Sequence, residues 1–137
     1  MININDIKQI SELLNEKNII KYDLLSNSFN INCVKLYLSN NRKIIAKYYA
    51  KENKDFNAII SETKNLNYLK EKKLKYFPKI ILSNEKYLIT EYKDNNNRIP
   101  NVTNQDLLKA IVKIHSFSTK YYGFKFDTQI GGVQHKN

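Results

Sequence analysis

The spacing of apolar residues switches repeatedly along this chain between the period of a helix and the period of a strand, and the order of those switches leaves few folds open. Ile7, Ile10, Leu13 and Leu14 recur at three- and four-residue intervals, which predicts a helix over 5–18 with Asn5 as its cap. Three alternating runs follow, Ile19 to Leu25, Ile31 to Leu38 and Lys43 to Tyr49. The last two are joined by Ser39-Asn40-Asn41-Arg42, a turn composition, so an antiparallel meander is implied. From Asp55 to Lys72 the period is helical again, with Ile59, Ile60, Leu66 and Leu69 on one stripe, and Phe77-Pro78 closes the region. Two short strands, Lys79 to Leu82 and Tyr87 to Tyr92, flank the turn Ser83-Asn84-Glu85-Lys86. A polar linker, Asp94 to Thr103, leads to a helix capped by Asn104 and running to about Ser118, with Leu107, Leu108, Ile111, Ile114 and His115 along it. The stretch from Tyr121 to Asn137 shows no period and holds all the glycines, Gly123, Gly131 and Gly132. The class expected is α+β: a five-stranded antiparallel sheet with a helix packed on it, preceded by one helix and followed by another.

A chain of 137 residues can bury one modest core. Its longest apolar runs are a few residues, and Met1-Ile2-Asn3-Ile4-Asn5 lacks the basic start of a signal peptide, so the expectation is a cytoplasmic protein without a membrane partner. Cys33 is the single cysteine and lies in an alternating run; a disulfide is unavailable, and a buried, inert thiol is expected.

The net charge is +10, which could mark a partner rich in phosphates. Of the 23 basic residues, however, only Arg42 and Arg98 are arginine, in a chain crowded with Asn, Ile and Tyr as an AT-rich genome would produce. Nucleic-acid readers favour arginine for two-pronged contacts, and here the lysines are spread over every segment instead of gathered in a stripe. These features argue against a nucleic-acid partner.

Three constellations carry possible chemistry. In Lys43-Ile44-Ile45-Ala46-Lys47-Tyr48-Tyr49 one lysine stands inside an apolar strand, and alternation puts Ile45, Lys47 and Tyr49 on one face. An edge lysine reaching water is the other reading. Glu62 falls three after Ile59 and four before Leu66, beside the apolar stripe of the second helix, where a carboxylate needs a partner that Lys47 can supply. In Leu88-Ile89-Thr90-Glu91-Tyr92-Lys93-Asp94 a strand runs into the linker. An adenine ring asks such a segment for one backbone acceptor and one donor: Thr90 would guard the inner end, Glu91 would offer its carbonyl, and the amide of Tyr92 or Lys93 would donate.

Lys47, the helix around Ser61-Glu62-Thr63 and the segment Thr90-Glu91-Tyr92 resemble the protein-kinase-like fold shared by aminoglycoside phosphotransferases, choline kinases and fructosamine kinases. Ala110-Ile111-Val112-Lys113-Ile114-His115 looks like the helix ending in His of these families. Tyr122-Gly123-Phe124-Lys125-Phe126-Asp127, then Ile130-Gly131, then Gln134-His135-Lys136-Asn137, are similar to the fructosamine kinase succession Gly-Phe, Ile-Gly, Gln-x-Asn. The resemblance implies a kinase N-lobe over 1–93, then a hinge linker, the first C-lobe helix and an irregular tail over 94–137, with the rest of the C-lobe missing. It implies a parent enzyme that uses ATP and Mg2+ to phosphorylate the sugar of a ketoamine, starting deglycation of a metabolite or protein. Lys47 would reach the phosphates, held by Glu62; Ile45 would touch adenine; Thr90 to Lys93 would form the hinge; Gln134 and Asn137 would orient the substrate side.

The chain departs from that pattern in two ways. The loop expected to cover the phosphates reads Ser26-Asn27-Ser28-Phe29-Asn30 without glycine, leaving Ser28 a candidate only through backbone amides, and a plain polar turn is equally consistent. A kinase of this type also needs an Asp at the acceptor hydroxyl and an Asn five residues on. The residues five beyond Asp6, Asp23, Asp55, Asp94, Asp106 and Asp127 are Ser11, Ser28, Ile60, Ile99, Ile111 and Gly132, and no His precedes an Asp by two. No catalytic or metal-binding residue is therefore assigned within the chain. His115, at the end of an apolar helix, is expected to be a packed core residue and His135 to be solvated. The competing readings are another small-molecule phosphotransferase of aminoglycoside or choline type, and a non-catalytic basic domain that binds nucleic acid, whose affinity would fall steeply with salt.

Overall fold

The expected order of elements is present in the computed structural model, which describes residues 4–15, 19–28, 30–50, 57–94, 104–117, 128–130 and 133–135. Helix α1 (Ile4–Leu13) precedes strands β1 (Ile19–Ser28), β2 (Ile31–Leu38) and β3 (Lys43–Tyr49), then α2 (Ala58–Glu71), β4 (Ile80–Ser83), β5 (Tyr87–Glu91), α3 (Asn104–His115) and a short pair, β6 (Thr128–Ile130) and β7 (Val133–His135). The first five strands make one antiparallel sheet in the order β1-β2-β3-β5-β4. Among the described residues no helix is long and apolar enough to cross a membrane.

Alternation gives the sheet two unlike faces. Val34, Leu36 and Leu38 of β2, Ile44, Ala46 and Tyr48 of β3, and Tyr87 and Ile89 of β5 are buried on the outer face, where Ile7 and Ile10 of α1 join them in one cluster. Gln9 fastens the helix there, accepting hydrogen bonds from the Tyr87 hydroxyl at 2.6 Å and from the Lys86 ammonium at 3.0 Å. On the inner face the intervening residues of β2 and β3, from Cys33 and Lys35 to Ile45, Lys47 and Tyr49, are half-buried. Helix α2 covers only part of this face: Ile59 and Leu88 are fully buried outside the α1 cluster. The turns use local chemistry. Asn41 takes a positive φ of 63° between β2 and β3, and Asn84 accepts from the amides of Lys86 and Tyr87 between β4 and β5.

Several boundaries differ from the sequence expectation. Helix α1 ends at Leu13 rather than Asn18, because Asn15 turns left-handed at φ 52° and its amide bonds back to the Glu12 carbonyl. Strand β1 extends past Leu25 to Ser28 through an irregularity between Leu24 and Ser26, so Ser26 to Ser28, expected in a loop, lie in the strand, with Ser28 paired to Ile31 and Asn30 at φ 64°. Helix α2 starts at its Asn57 cap, and Asp55 lies outside the described residues. The stretch after Tyr121 is not wholly aperiodic, since β6 and β7 pair within it. His115, expected to be packed, is exposed, because α3 as a whole turns its apolar residues outward: Leu107, Leu108 and Val112 are all more than half exposed.

If α1 is an integral cover of the outer face, Ile10→Ala should lower the unfolding free energy by about 2–5 kcal/mol in a urea titration, while Leu13→Ala on the exposed side should cost under about 1 kcal/mol. Equal effects would mean that α1 is not docked.

Candidate functional site

Strand β3 brings Ile45, Lys47 and Tyr49 to the inner face in steps of two, and each has a different partner. The Tyr49 hydroxyl accepts the Ala58 amide at 2.6 Å, taking one of the free donors at the start of α2. Asn57 caps the same helix end, its side-chain oxygen accepting the Ile60 amide at 3.0 Å and its side-chain amide donating to the Glu85 carbonyl at 2.7 Å. With the first turn fixed to β3 and to the β4–β5 turn, Glu62 comes round one turn later facing the sheet. Its Oε1 lies 2.6 Å from Lys47 Nζ, a formed ion pair with each side chain about a third exposed. An ammonium has three donors and one is used here, so Lys47 can still address an anion in front of the sheet.

Across the sheet, Leu88 pairs with Lys47 and Thr90 pairs with Ile45. Thr90 is buried at the inner end of the segment, and β5 ends at Glu91; residues 92–94 are neither helix nor strand. The Glu91 amide donates to the Lys79 carbonyl at 3.0 Å, while its carboxylate accepts the Lys79 amide at 3.1 Å and the Lys93 ammonium at 2.7 Å. The Lys93 contact, followed by the Lys79 amide, holds the Glu91 carboxyl below the usual carboxylate range.

The structure adds residues that the sequence reading did not single out. Tyr37 donates its hydroxyl to Asp23 Oδ2 at 2.6 Å, and this bond, with Lys21 and Lys35 nearby, depresses the Asp23 carboxyl. The Lys35 ammonium lies 5.1 Å from the Tyr37 ring and 5.2 Å from the Tyr92 ring, with Lys43 close to both, so cations and tyrosines interleave between β2, β3 and the end of β5. Cys33 stands opposite Lys47. It is half-buried rather than buried, and desolvation pushes its thiol up despite the Lys47 charge. The phase of β2, with Cys33, Lys35 and Tyr37 in step with Ile45 and Lys47, was the signal available for them.

The remaining candidates are more dispersed. Ser28 is exposed at the end of β1, and the hydroxyl in register with Cys33 is that of Ser26. Gln134 lies in β7 opposite Gln129, and Asn137 lies outside the described residues. Among the described residues no group of three or more His, Cys, Asp or Glu is gathered for a metal.

No family model matches the chain, and no curated protein matches its sequence. Solved structures do match. A Thermobifida fusca YX-ER1 protein provisionally described as a fructosamine-3-kinase superposes with a TM-score of 0.73 at 15% identity, over 95% of this chain and 45% of its own. APH(2")-IIa, solved as a ternary complex with streptomycin and ATP, superposes with a TM-score of 0.62 at 16% identity over 92% of this chain and 44% of its own. Its gentamicin complex gives 0.60 at 16% identity with the same coverage. The architecture is thus the protein-kinase-like N-lobe that the resemblance implied. The chain spans less than half the length of these proteins.

Two measurements test the site geometry. Tyr49→Phe, which removes the acceptor at the start of α2, should cost about 1 kcal/mol of stability. Because burial raises the Cys33 pKa, the pH midpoint for alkylation by iodoacetamide should lie above that of the urea-unfolded chain, about 8.5. Steric shielding alone would slow the native reaction without moving that midpoint, and an unmoved midpoint would remove the electrostatic account.

Proposed function

We propose that this chain is the ATP-binding lobe of a small-molecule kinase, and that its parent phosphorylates the sugar of a ketoamine, initiating deglycation. The observation that carries the reading is the 2.6 Å Lys47–Glu62 pair on a half-open sheet face, beside a strand that leaves the sheet in extended form at Thr90–Glu91. Such a pair holds an ammonium where the α/β-phosphates of a nucleotide would lie. Ile45 would lie against adenine, and Thr90 would limit the depth of the base pocket. The Glu91 amide is committed to Lys79, which leaves the donor role to Tyr92 or Lys93. Tyr92, held by Lys35 and Lys43, would border the base at the mouth. Ser28 would act only through its backbone. Magnesium, when bound, would screen phosphate charge, and its ligands are assigned to the large lobe; Gln134 and Asn137 would face the acceptor.

The ketoamine acceptor is supported by the higher TM-score toward the fructosamine-3-kinase-like structure, 0.73 against 0.62. An aminoglycoside or related alcohol is the alternative acceptor. A large lobe completing the enzyme is supported by the outward apolar side of α3, where Val112 is 64% exposed. By this reading residues 1–137 bind nucleotide but do not transfer phosphate, and the protein works in the cytoplasm.

Isothermal titration with ATP and ADP tests the core of the proposal. Saturable binding that prefers adenine over pyrimidine nucleotides is expected, weakened about 10-fold or more by Lys47→Met, a loss of at least about 1.4 kcal/mol. No nucleotide binding at millimolar concentration, together with DNA binding whose affinity falls log-linearly with salt, would favour the nucleic-acid reading instead.

A further inference from the structure

Lys70, Lys73, Lys75 and Lys79 stand within ten residues of sequence, and the fold brings Lys93 to them. Behind the hinge, between the end of α2, the 72–79 connection, β4 and the end of β5, lies a recess of about 670 Å³, within the size range of small-molecule sites. Lys70, Lys73, Lys75, Lys79 and Lys93 line it, five of its twelve lining residues against 21 lysines in 137, and Glu91 is the one acid among them. Its apolar wall includes Leu66, Leu74 and Phe77. Of the five ammonium groups only that of Lys93 is within 4 Å of a described carboxylate, Glu91.

Complementing the negative end of α2 would explain Lys70 and Lys73, but Lys75, Lys79 and Lys93 lie beyond the helix. The backbone supplies an independent observation. Helix α2 ends in a Schellman turn, with Leu74 N bonded to Leu69 O and Lys73 N to Lys70 O, and the left-handed position, φ 56°, is occupied by Lys73. Glycine is the residue that fits there without strain. Lys73 therefore lines the recess from a position that glycine would occupy at lower cost.

We propose that this recess is a second binding site, for a small phosphorylated molecule with a flat apolar group. The phosphate would lie among Lys70, Lys73, Lys75 and Lys79, and the apolar part against Leu74 and Phe77. Glu91 and Lys93, at the end of β5, both line the recess, so an anion here competes with Glu91 for the Lys93 ammonium and loosens the hinge clamp. Occupancy should therefore alter adenine-nucleotide affinity. That coupling rests on the nucleotide reading above; the site itself does not.

Phenyl phosphate titrated into the full chain, followed by calorimetry and by its Tm shift, is the test, with inorganic phosphate and benzyl alcohol as controls. Phenyl phosphate should bind at least about 10-fold more tightly than inorganic phosphate, a margin of about 1.4 kcal/mol. Lys70→Gln/Lys75→Gln should weaken it by a similar factor, and Lys8→Gln/Lys109→Gln, of equal charge change, should not. Lys73→Gly should raise the Tm in the absence of ligand while weakening phenyl phosphate, a pairing that a misfolded variant cannot give. Equal loss in both double variants, binding no tighter than phosphate, or abolition by Lys47→Met would overturn the site. ADP titrated with and without saturating phenyl phosphate reads the coupling: a changed ADP affinity supports it, and an unchanged one removes it. If ADP fails to bind while phenyl phosphate binds as expected, the nucleotide reading falls and the recess stands.

Discussion

Strand β3 serves two environments at once, and the rest of the lobe is arranged around that demand. Ile44, Ala46 and Tyr48 close the core with α1, while Ile45, Lys47 and Tyr49 line a face that α2 only partly covers. Because side chains alternate strictly, a one-residue slip against β2 or β5 would drive the Lys47 ammonium into the cluster of Ile10, Leu36 and Ile89. Burying an unpaired charge there costs far more than the lobe could absorb, so the hydrophobic core itself fixes which way Lys47 points. Tyr49 then transmits the register of the strand to the helix. Its hydroxyl holds the first turn of α2, and the helical period delivers Glu62 to Lys47 one turn on.

That chain of dependence explains what could be read from sequence. The limits of β2 and β3 match the expected ones to the residue, since strict alternation is bounded by a strong Asn40-Asn41 turn. The Lys47–Glu62 contact was legible because a period of two and a period of 3.6 each carry their own phase, and both pointed inward. The ends of α1 and β1 were not legible. Apolar spacing continues through Leu14, but a single left-handed Asn15 stops the helix; β1 is prolonged by pairing with β2, a non-local effect. Strands β6 and β7 are too short to establish any period. The Lys35, Tyr37 and Tyr92 group was hidden for another reason: it depends on β5 lying beside β3, although α2 and β4 intervene in the chain.

Charge shows the same difference between linear and spatial order. The lysines are spread along the sequence, which argued against a single electrostatic stripe, yet folding sorts them by environment. Lys35 and Lys43 lie over tyrosine rings, Lys47 is tied to a carboxylate, and Lys93 at the end of β5 joins the lysines of residues 70–79. A net charge of +10 is therefore a poor guide to any one partner. The fields that a ligand meets are local, set by which strands and helix ends the topology brings together.

The Lys47–Glu62 pair bears on what the lobe is for. With about a third of each side chain exposed, it belongs to the class of ion pairs that contributes about 0–1 kcal/mol to stability. Stability therefore gives little reason to keep a lysine in the middle of an apolar strand, where an aliphatic residue would pack against Leu88 and Ile45 at no desolvation cost. Binding gives a better one. An ammonium held by one carboxylate oxygen has lost most of its rotamer freedom before any anion arrives, so the ordering cost has been met in the folded protein and two donors remain to act. The same reasoning separates the inner face from the outward side of α3. The first combines half-exposed apolar residues with oriented charge, the requirement for a polar ligand, whereas Leu107, Leu108 and Val112 present apolar surface that another protein surface would complement.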